Sequence, residues 1–257
     1  MKDDSFSHTD IPDQVLDKIY IELLKKFRKY NSNGNKLFCS YMAAGQNYEN
    51  ELLVIGREPF YWREEFSTEE LNEEGPEYIF KVKVFHPGIY GLDSLCPLSY
   101  VTDLWGNTKN RNCYNTLYNS FHDPFWGCIK DVVLKLGICK NGSNWPSSLA
   151  LTYLYKIAFS SKSYLLEKPR KLQFELCKEM LQLELSILKP KRILFLTGMK
   201  YAQDFLNLPN NLEFNDCFYN LGDFDYGFHK ARTVVSVNPK NCRREILVKE
   251  IIYAFKN

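Results

Sequence analysis

The hexapeptide Gly56-Arg57-Glu58-Pro59-Phe60-Tyr61 concentrates residue types able to do chemistry. Glycine lets backbone approach a ligand closely. Glu58 offers a carboxylate for general-base or electrostatic work, and Phe60 or Tyr61 offers a ring to stack on a flat substrate. The segment is no phosphate-binding fingerprint, since GxGxxG and GxxxxGK[ST] are both absent. By residue type alone it reads equally as a strand-to-helix turn with an exposed glutamate. A second cluster, Asn238-Pro239-Lys240 with Arg243 and Arg244, sets an amide beside three cations at a helix start. Cations there suit phosphate contact, and an ordinary solvated helix end has the same composition. His86, His122 and His229 are far apart in sequence. Each reads as a surface or satisfied residue before a catalytic base, and His229, just before an apolar strand, is the best placed of them.

The 8 cysteines, at 39, 96, 113, 128, 139, 177, 217 and 242, stand singly, with no CxxC or Cys/His cluster. That spacing predicts no metal site, no disulfide framework and no iron–sulfur cluster, and no cofactor is expected. The acidic, polar start from Met1 to Pro12 lacks a leader pattern. No apolar run approaches the roughly 18 residues that span a bilayer. The expectation is a cytoplasmic protein with reduced thiols and no membrane partner. Trp62, Trp105, Trp126 and Trp145 read as core or pocket wall rather than as a stacking platform. The net charge of +2 divides unevenly: residues 1–128 carry 13 Lys+Arg against 19 Asp+Glu, and residues 129–257 carry 20 against 12. The basic half permits a face for a polyanion.

The elements that must position these residues are legible in outline. Hydrophobic residues at 45% and charged residues at 25% describe an ordinary globular chain, read as a single domain over 1–257. Val15, Ile19, Leu23, Phe27 and Tyr30 predict a helix over 10–31 opened by Asp10 and Pro12. Glu51–Gly56 predicts a buried strand, and the seven-Glu stretch Arg63–Glu77 a solvated helix or loop. Residues 78–122 read as an irregular, aromatic-rich insertion, and Pro124–Gly137 as a helix. Then come a helix from Lys168 to Leu188, a strand at Arg192–Gly198, and a short helix at Lys200–Leu206. An Asn- and aromatic-rich connection spans 207–230. A strand at Thr233–Val237 and a last helix at Asn241–Phe255 close the chain. Wholly apolar strands separated by helices predict a parallel sheet covered on both faces. The turns after Gly56, Gly198 and Val237 then lie at its carboxyl edge, where such sheets bind ligands.

At this point the chain resembles the uracil-DNA glycosylase superfamily, whose first motif reads Gly-Gln-Asp-Pro-Tyr-His after the first strand. Gly56 and Pro59 match it. Glu58 falls at the water-activating aspartate and Phe60 at the ring-packing tyrosine, while Arg57 and Tyr61 replace the Gln and His. Leu188–Gly198 is similar to the passage before the family's third strand, and Val234–Pro239 to its last strand and His-Pro turn, with Asn238 in place of the histidine. Leu151–Ile157 looks like the second strand, with Tyr153 where a base-reading asparagine stands.

The resemblance implies an α/β fold, a three-layer α/β/α sandwich around a mainly parallel four-stranded sheet. It implies a DNA glycosylase that hydrolyses the N-glycosidic bond of a flipped base. Glu58 and Asn238 would be catalytic. Gly56, Arg57, Pro59, Phe60, Tyr61 and Tyr153 would bind substrate, and Lys240, Arg243 and Arg244 would meet DNA phosphates. Asn238 supplies a neutral donor where the family has a charged one, and losing a donor aimed at developing charge costs on the order of 10²–10³ in rate. The alternative is a catalytically altered module on the same fold that binds a nucleobase, a nucleic acid or a protein. A hydrolase for another N-glycosidic substrate lies between the two.

Overall fold

A computed structural model describes residues 10–30, 36–59, 65–84, 98, 101, 122–139, 142–159, 167–209 and 218–257. The elements run α1 (Asp10–Arg28), β1 (Lys36–Cys39), β2 (Ala43–Ala44), β3 (Leu52–Gly56), β4 (Glu65–Ser67), α2 (Thr68–Glu74) and α3 (Pro76–Ile79). A π-turn at Phe80–Val84 follows, then α4 (Pro124–Lys135), a 3₁₀ stretch at Gly142–Ser148, β5 (Ala150–Tyr153) and β6 (Ile157–Phe159). The chain continues through α5 (Glu167–Leu188), β7 (Arg192–Phe195), α6 (Met199–Phe205), β8 (Phe218–Asp225), β9 (Lys230–Ser236), a 3₁₀ turn at Pro239–Asn241 and α7 (Arg244–Lys256).

Every residue of β3 is buried, and its side chains divide between two cores. Leu53 and Ile55 join α1, α5 and α6 on one face, while Leu52 and Val54 join α4 and α7 on the other. This alternation explains why the strand is apolar throughout: both faces of the sheet are covered. The central sheet has the order β2-β5-β3-β7-β9-β8, in which β5, β3, β7 and β9 are mutually parallel. The molecule is thus mixed α/β with a mainly parallel sheet and helices on both faces, an arrangement compatible with a three-layer sandwich.

Several expectations need correction. The sheet has six strands rather than four, because β2 and β8 add antiparallel edges. β2 is two residues long, too short to leave a period. β8 lies inside the expected connection 207–230. It is half exposed and is interrupted by a register shift at Asn220/Gly222, where Gly222 has φ 62°, so its alternation is weak. The expected strand Leu151–Ile157 is two strands in two sheets. β5 joins the central sheet, whereas β6 pairs with β1 in a separate antiparallel sheet, β4-β1-β6.

The Glu-rich segment is not simply solvated. Phe66 and Leu71 are fully buried and Thr68 nearly so. Ser67 caps α2 through a reciprocal pair, Ser67 Oγ accepting from Glu70 N at 3.0 Å and Glu70 Oε2 from Ser67 N at 2.7 Å. The Tyr78–Val84 start of the expected irregular insertion is helical, with Phe80 and Val84 buried. α1 ends at Arg28, and its buried stripe runs through Leu16, Tyr20 and Leu24 as well as Ile19, Leu23 and Phe27, leaving Val15 exposed. The last helix does not begin at Asn241: Cys242 is extended (φ −143°, ψ 154°) and separates the 3₁₀ turn from α7.

Candidate functional site

Four parallel strand ends meet at the carboxyl edge, and their turns are bound together through the backbone. Leu154 N donates to Gly56 O at 2.9 Å, and Tyr155 N to Arg57 O at 3.0 Å, which ties the turn after β3 to the chain after β5. Gly198 N donates to Ser236 O at 2.8 Å, which ties the turn after β7 to the end of β9. Between these turns lies a cleft of about 300 Å³, lined by Arg57, the turn Thr197–Tyr201, Phe218 and Tyr219 of β8, and Val235–Asn238 with Asn241. Arg57 and Asn238, distant in sequence, therefore border one cavity.

Arg57 is the hinge of the arrangement. Its guanidinium is paired with the carboxylate of Glu58, Nε donating to Oε1 at 3.0 Å with Nη2 closing on the same oxygen. The same guanidinium lies 5.0 Å from the ring centre of Tyr201 in α6, within cation–π range. The Glu58 side chain is only 7% exposed and is not part of the cleft lining, whereas Arg57 is 23% exposed and borders the cleft. Pro59 follows and is buried, while Phe60 and Tyr61 lie outside the described residues.

Gly56 and Tyr153 meet directly. A Cβ on Gly56 would stand 2.5 Å from Cδ1 and Cε1 of the Tyr153 ring, so only glycine lets that ring pack against β3. Tyr153 is 6% exposed and belongs to the core between the sheet and α4/α7. Burial pushes its phenol far above the ordinary value, with the Asp123 carboxylate adding to the shift. The cleft lining does not include it.

Asn238 is partly buried and spends its carbonyl on structure: Oδ1 accepts from Lys240 N at 3.0 Å and caps the 3₁₀ turn. Among the described residues its Nδ2 has no acceptor, which leaves an amide donor at the cleft. Lys240, Arg243 and Arg244 are exposed. Arg244 is committed to α4, with Nε 3.1 Å from Asp131 Oδ2 and its guanidinium laid against Gly127. His229 is at the other end of the sheet, where its Nε2 lies 2.6 Å from Pro190 O ahead of β7, so it is no substitute for a histidine at the carboxyl edge. His86, Trp62 and Trp105 lie outside the described residues; Trp126 and Trp145 are core.

Two groupings were not anticipated. In the bend between β5 and β6, Lys156 and Glu184 form an ion pair with both side chains fully buried, Nζ to Oε1 2.7 Å. Lys156 Nζ also donates to Thr152 Oγ1 at 2.6 Å and Tyr153 O at 2.7 Å, and Thr152 Oγ1 donates to Glu184 Oε2 at 2.8 Å. This network pins the carboxyl end of β5, the segment that carries Tyr153. A sequence signal existed: Glu184 stands within the apolar stripe Leu181, Leu185 and Leu188 of α5. The second grouping is aromatic: Phe218, Tyr219 and Tyr201 supply rings to the cleft. All three fall in segments whose alternation or length gave them no strand or site signal.

No helix among the described residues is long and apolar enough to cross a membrane, and no group of three or more His, Cys, Asp or Glu among them could hold a metal ion. A scan against protein-family models finds no match, and a search of curated proteins finds no relative.

Proposed function

We propose that the chain is a divergent member of the uracil-DNA glycosylase superfamily, hydrolysing the N-glycosidic bond of a base flipped out of DNA into the carboxyl-edge cleft. One observation carries the reading: Arg57 of the first motif and Asn238 of the last line the same cleft at the ends of parallel strands. That is the relation the resemblance requires of those two turns.

In this reaction water attacks C1′ of the sugar, the C1′–N bond breaks, the base departs with the electron pair, and the proton released by the water passes to the departing base. Rings of Phe218, Tyr219 and Tyr201 wall the cleft for a flat base. Asn238 Nδ2 donates to charge growing on the leaving base. Glu58 lies behind Arg57 and outside the cleft lining, so it would reach the water or the developing sugar cation only once Arg57 turns toward an incoming phosphate. Lys240 and Arg243 meet the strand's backbone.

The pairing of Glu58 with Arg57 favours a second reading, in which the carboxylate is neutralised and the module binds a nucleobase without cutting. Base release from single- and double-stranded oligonucleotides carrying uracil or hypoxanthine separates the two. Release supports the glycosylase; salt-dependent binding without release supports the binder; neither binding nor release removes both.

A further inference from the structure

The two most exposed large apolar side chains among the described residues share one helix: Tyr253 at 66% and Ile246 at 52%, both in α7. They stand seven residues apart, two helical turns, and so lie about 10 Å from each other on one face. That face is turned away from the core, into which α7 sends Leu247, Val248, Ile251, Ala254 and Phe255. A lone exposed apolar residue needs no partner. Two aligned on the outward stripe of a helix that has already buried its apolar face make the centre of a contact surface.

The residues between them narrow what could cover it. Lys249 and Glu250, both exposed, follow Ile246 by three and four positions and so flank the Ile246–Tyr253 line on opposite sides. Among the described residues neither is engaged in an ion pair. The stripe is apolar at its centre, cationic along one flank and anionic along the other. A lipid surface would have to bury both charges beside the apolar pair, and a nucleic acid would meet Glu250 with like charge. A second copy of the same stripe fits in one orientation. With the two helices parallel about a two-fold axis, the left flank of each meets the right flank of the other. Lys249 then faces Glu250 of the partner subunit, twice over, while the Ile246 and Tyr253 side chains meet their own counterparts. With the helices antiparallel, like flanks meet, setting Lys249 against the partner's Lys249 and Glu250 against the partner's Glu250, which repels.

We propose that α7 is the interface of a parallel, two-fold symmetric dimer of this chain. Tyr253 supplies a flat, amphipathic anchor of the kind enriched at interface cores. A face of one 13-residue helix belongs at the low end of specific interfaces, below about 1,200 Å², so the dimer forms and dissociates with concentration. Asn241 of the carboxyl-edge cleft lies three residues before the start of α7. Parallel helices therefore set both clefts at the same end of the pair. The inference uses no catalytic assignment and stands whether or not the chain releases bases.

Sedimentation equilibrium of the full chain over roughly 1–300 µM, the range of weak complexes, tests it. The parent should pass from monomer to dimer across that range. Ile246→Gln and Tyr253→Gln, each present twice in a symmetric pair, should each raise the dissociation constant at least about tenfold. Both variants should melt like the parent at the lowest concentration, because the side chains they replace are exposed in the monomer. Lys249→Glu turns two attractions into two repulsions and should weaken the dimer about fivefold at low salt, an effect that fades at high salt. Adding Glu250→Lys exchanges the signs of the pairs and should return the parent's constant. A chain that stays monomeric overturns the proposal: flotation with phosphatidylcholine vesicles would then give the face to a lipid surface, and no flotation would leave it to a different protein. A dimer that both glutamine variants leave intact lies on another face and overturns it as well. A dimer indifferent to Lys249→Glu is not the parallel pair, and it too overturns the proposal.

Discussion

The Tyr153 ring occupies the space into which any side chain on Gly56 would grow, with two ring carbons 2.5 Å from where a Cβ would sit. The glycine that opens the first motif is thus required by a core ring from the neighbouring strand. Gly56→Ala must push that ring out of a packed core, and overpacking of this kind costs about 1–3 kcal/mol. Denaturant unfolding should record the loss. Tyr153→Leu in the same chain should recover part of it, and purely additive effects would refute the contact.

Replacing Glu58 with Gln keeps size and hydrogen bonding but removes the charge that Arg57 neutralises. If the chain is a glycosylase, single-turnover excision should fall at least about 10²-fold, the scale of general-base assistance. Oligonucleotide binding should persist, because Arg57, Lys240 and Arg243 all keep their charge in the variant. Unchanged excision would reduce the motif to architecture.

The Lys156–Glu184 pair has no exposed surface on either side chain. Lys156→Met would strand the carboxylate in the core and cost about 3–5 kcal/mol. Adding Glu184→Met should restore much of that, although Tyr153 O and Thr152 would still lack their partners. A double-mutant cycle reads the coupling directly. A near-zero coupling would mean the pair does not act as a unit.

Glu51, at the entrance to β3, bonds Lys191 and Arg192 at the entrance to β7. Its carboxyl is held below the ordinary value of 4.5, first by the Lys191 hydrogen bond and then by Arg192, against a desolvation cost. A depressed folded value means the contribution is present above 4.5 and is lost as pH falls through the folded value. Glu51→Gln should therefore lower stability at neutral pH and flatten the acid limb of a melting-temperature profile. An acid limb identical to the parent's would refute the clamp.

Residue order alone determined apolar strands at Glu51–Gly56 and Arg192–Gly198, which the structure narrows to Leu52–Gly56 and Arg192–Phe195, the long helix ending at Leu188 and the direction of the sheet. A fully buried parallel strand must be apolar on both faces, and a helix must repeat its core face every three or four residues. It also marked Gly56–Pro59 and Asn238 as turns after strands. Only tertiary structure decided the rest. Edge strands such as β8 are half exposed and bulged, so their alternation fades into loop composition. The bend at Lys156 looks like continuous strand because Ala150–Phe159 is apolar on both sides of it, and its split between two sheets depends on a partner, Glu184, supplied by α5. Whether Tyr153 faces a cleft or a core depended on which face of β5 the helices α4 and α7 cover.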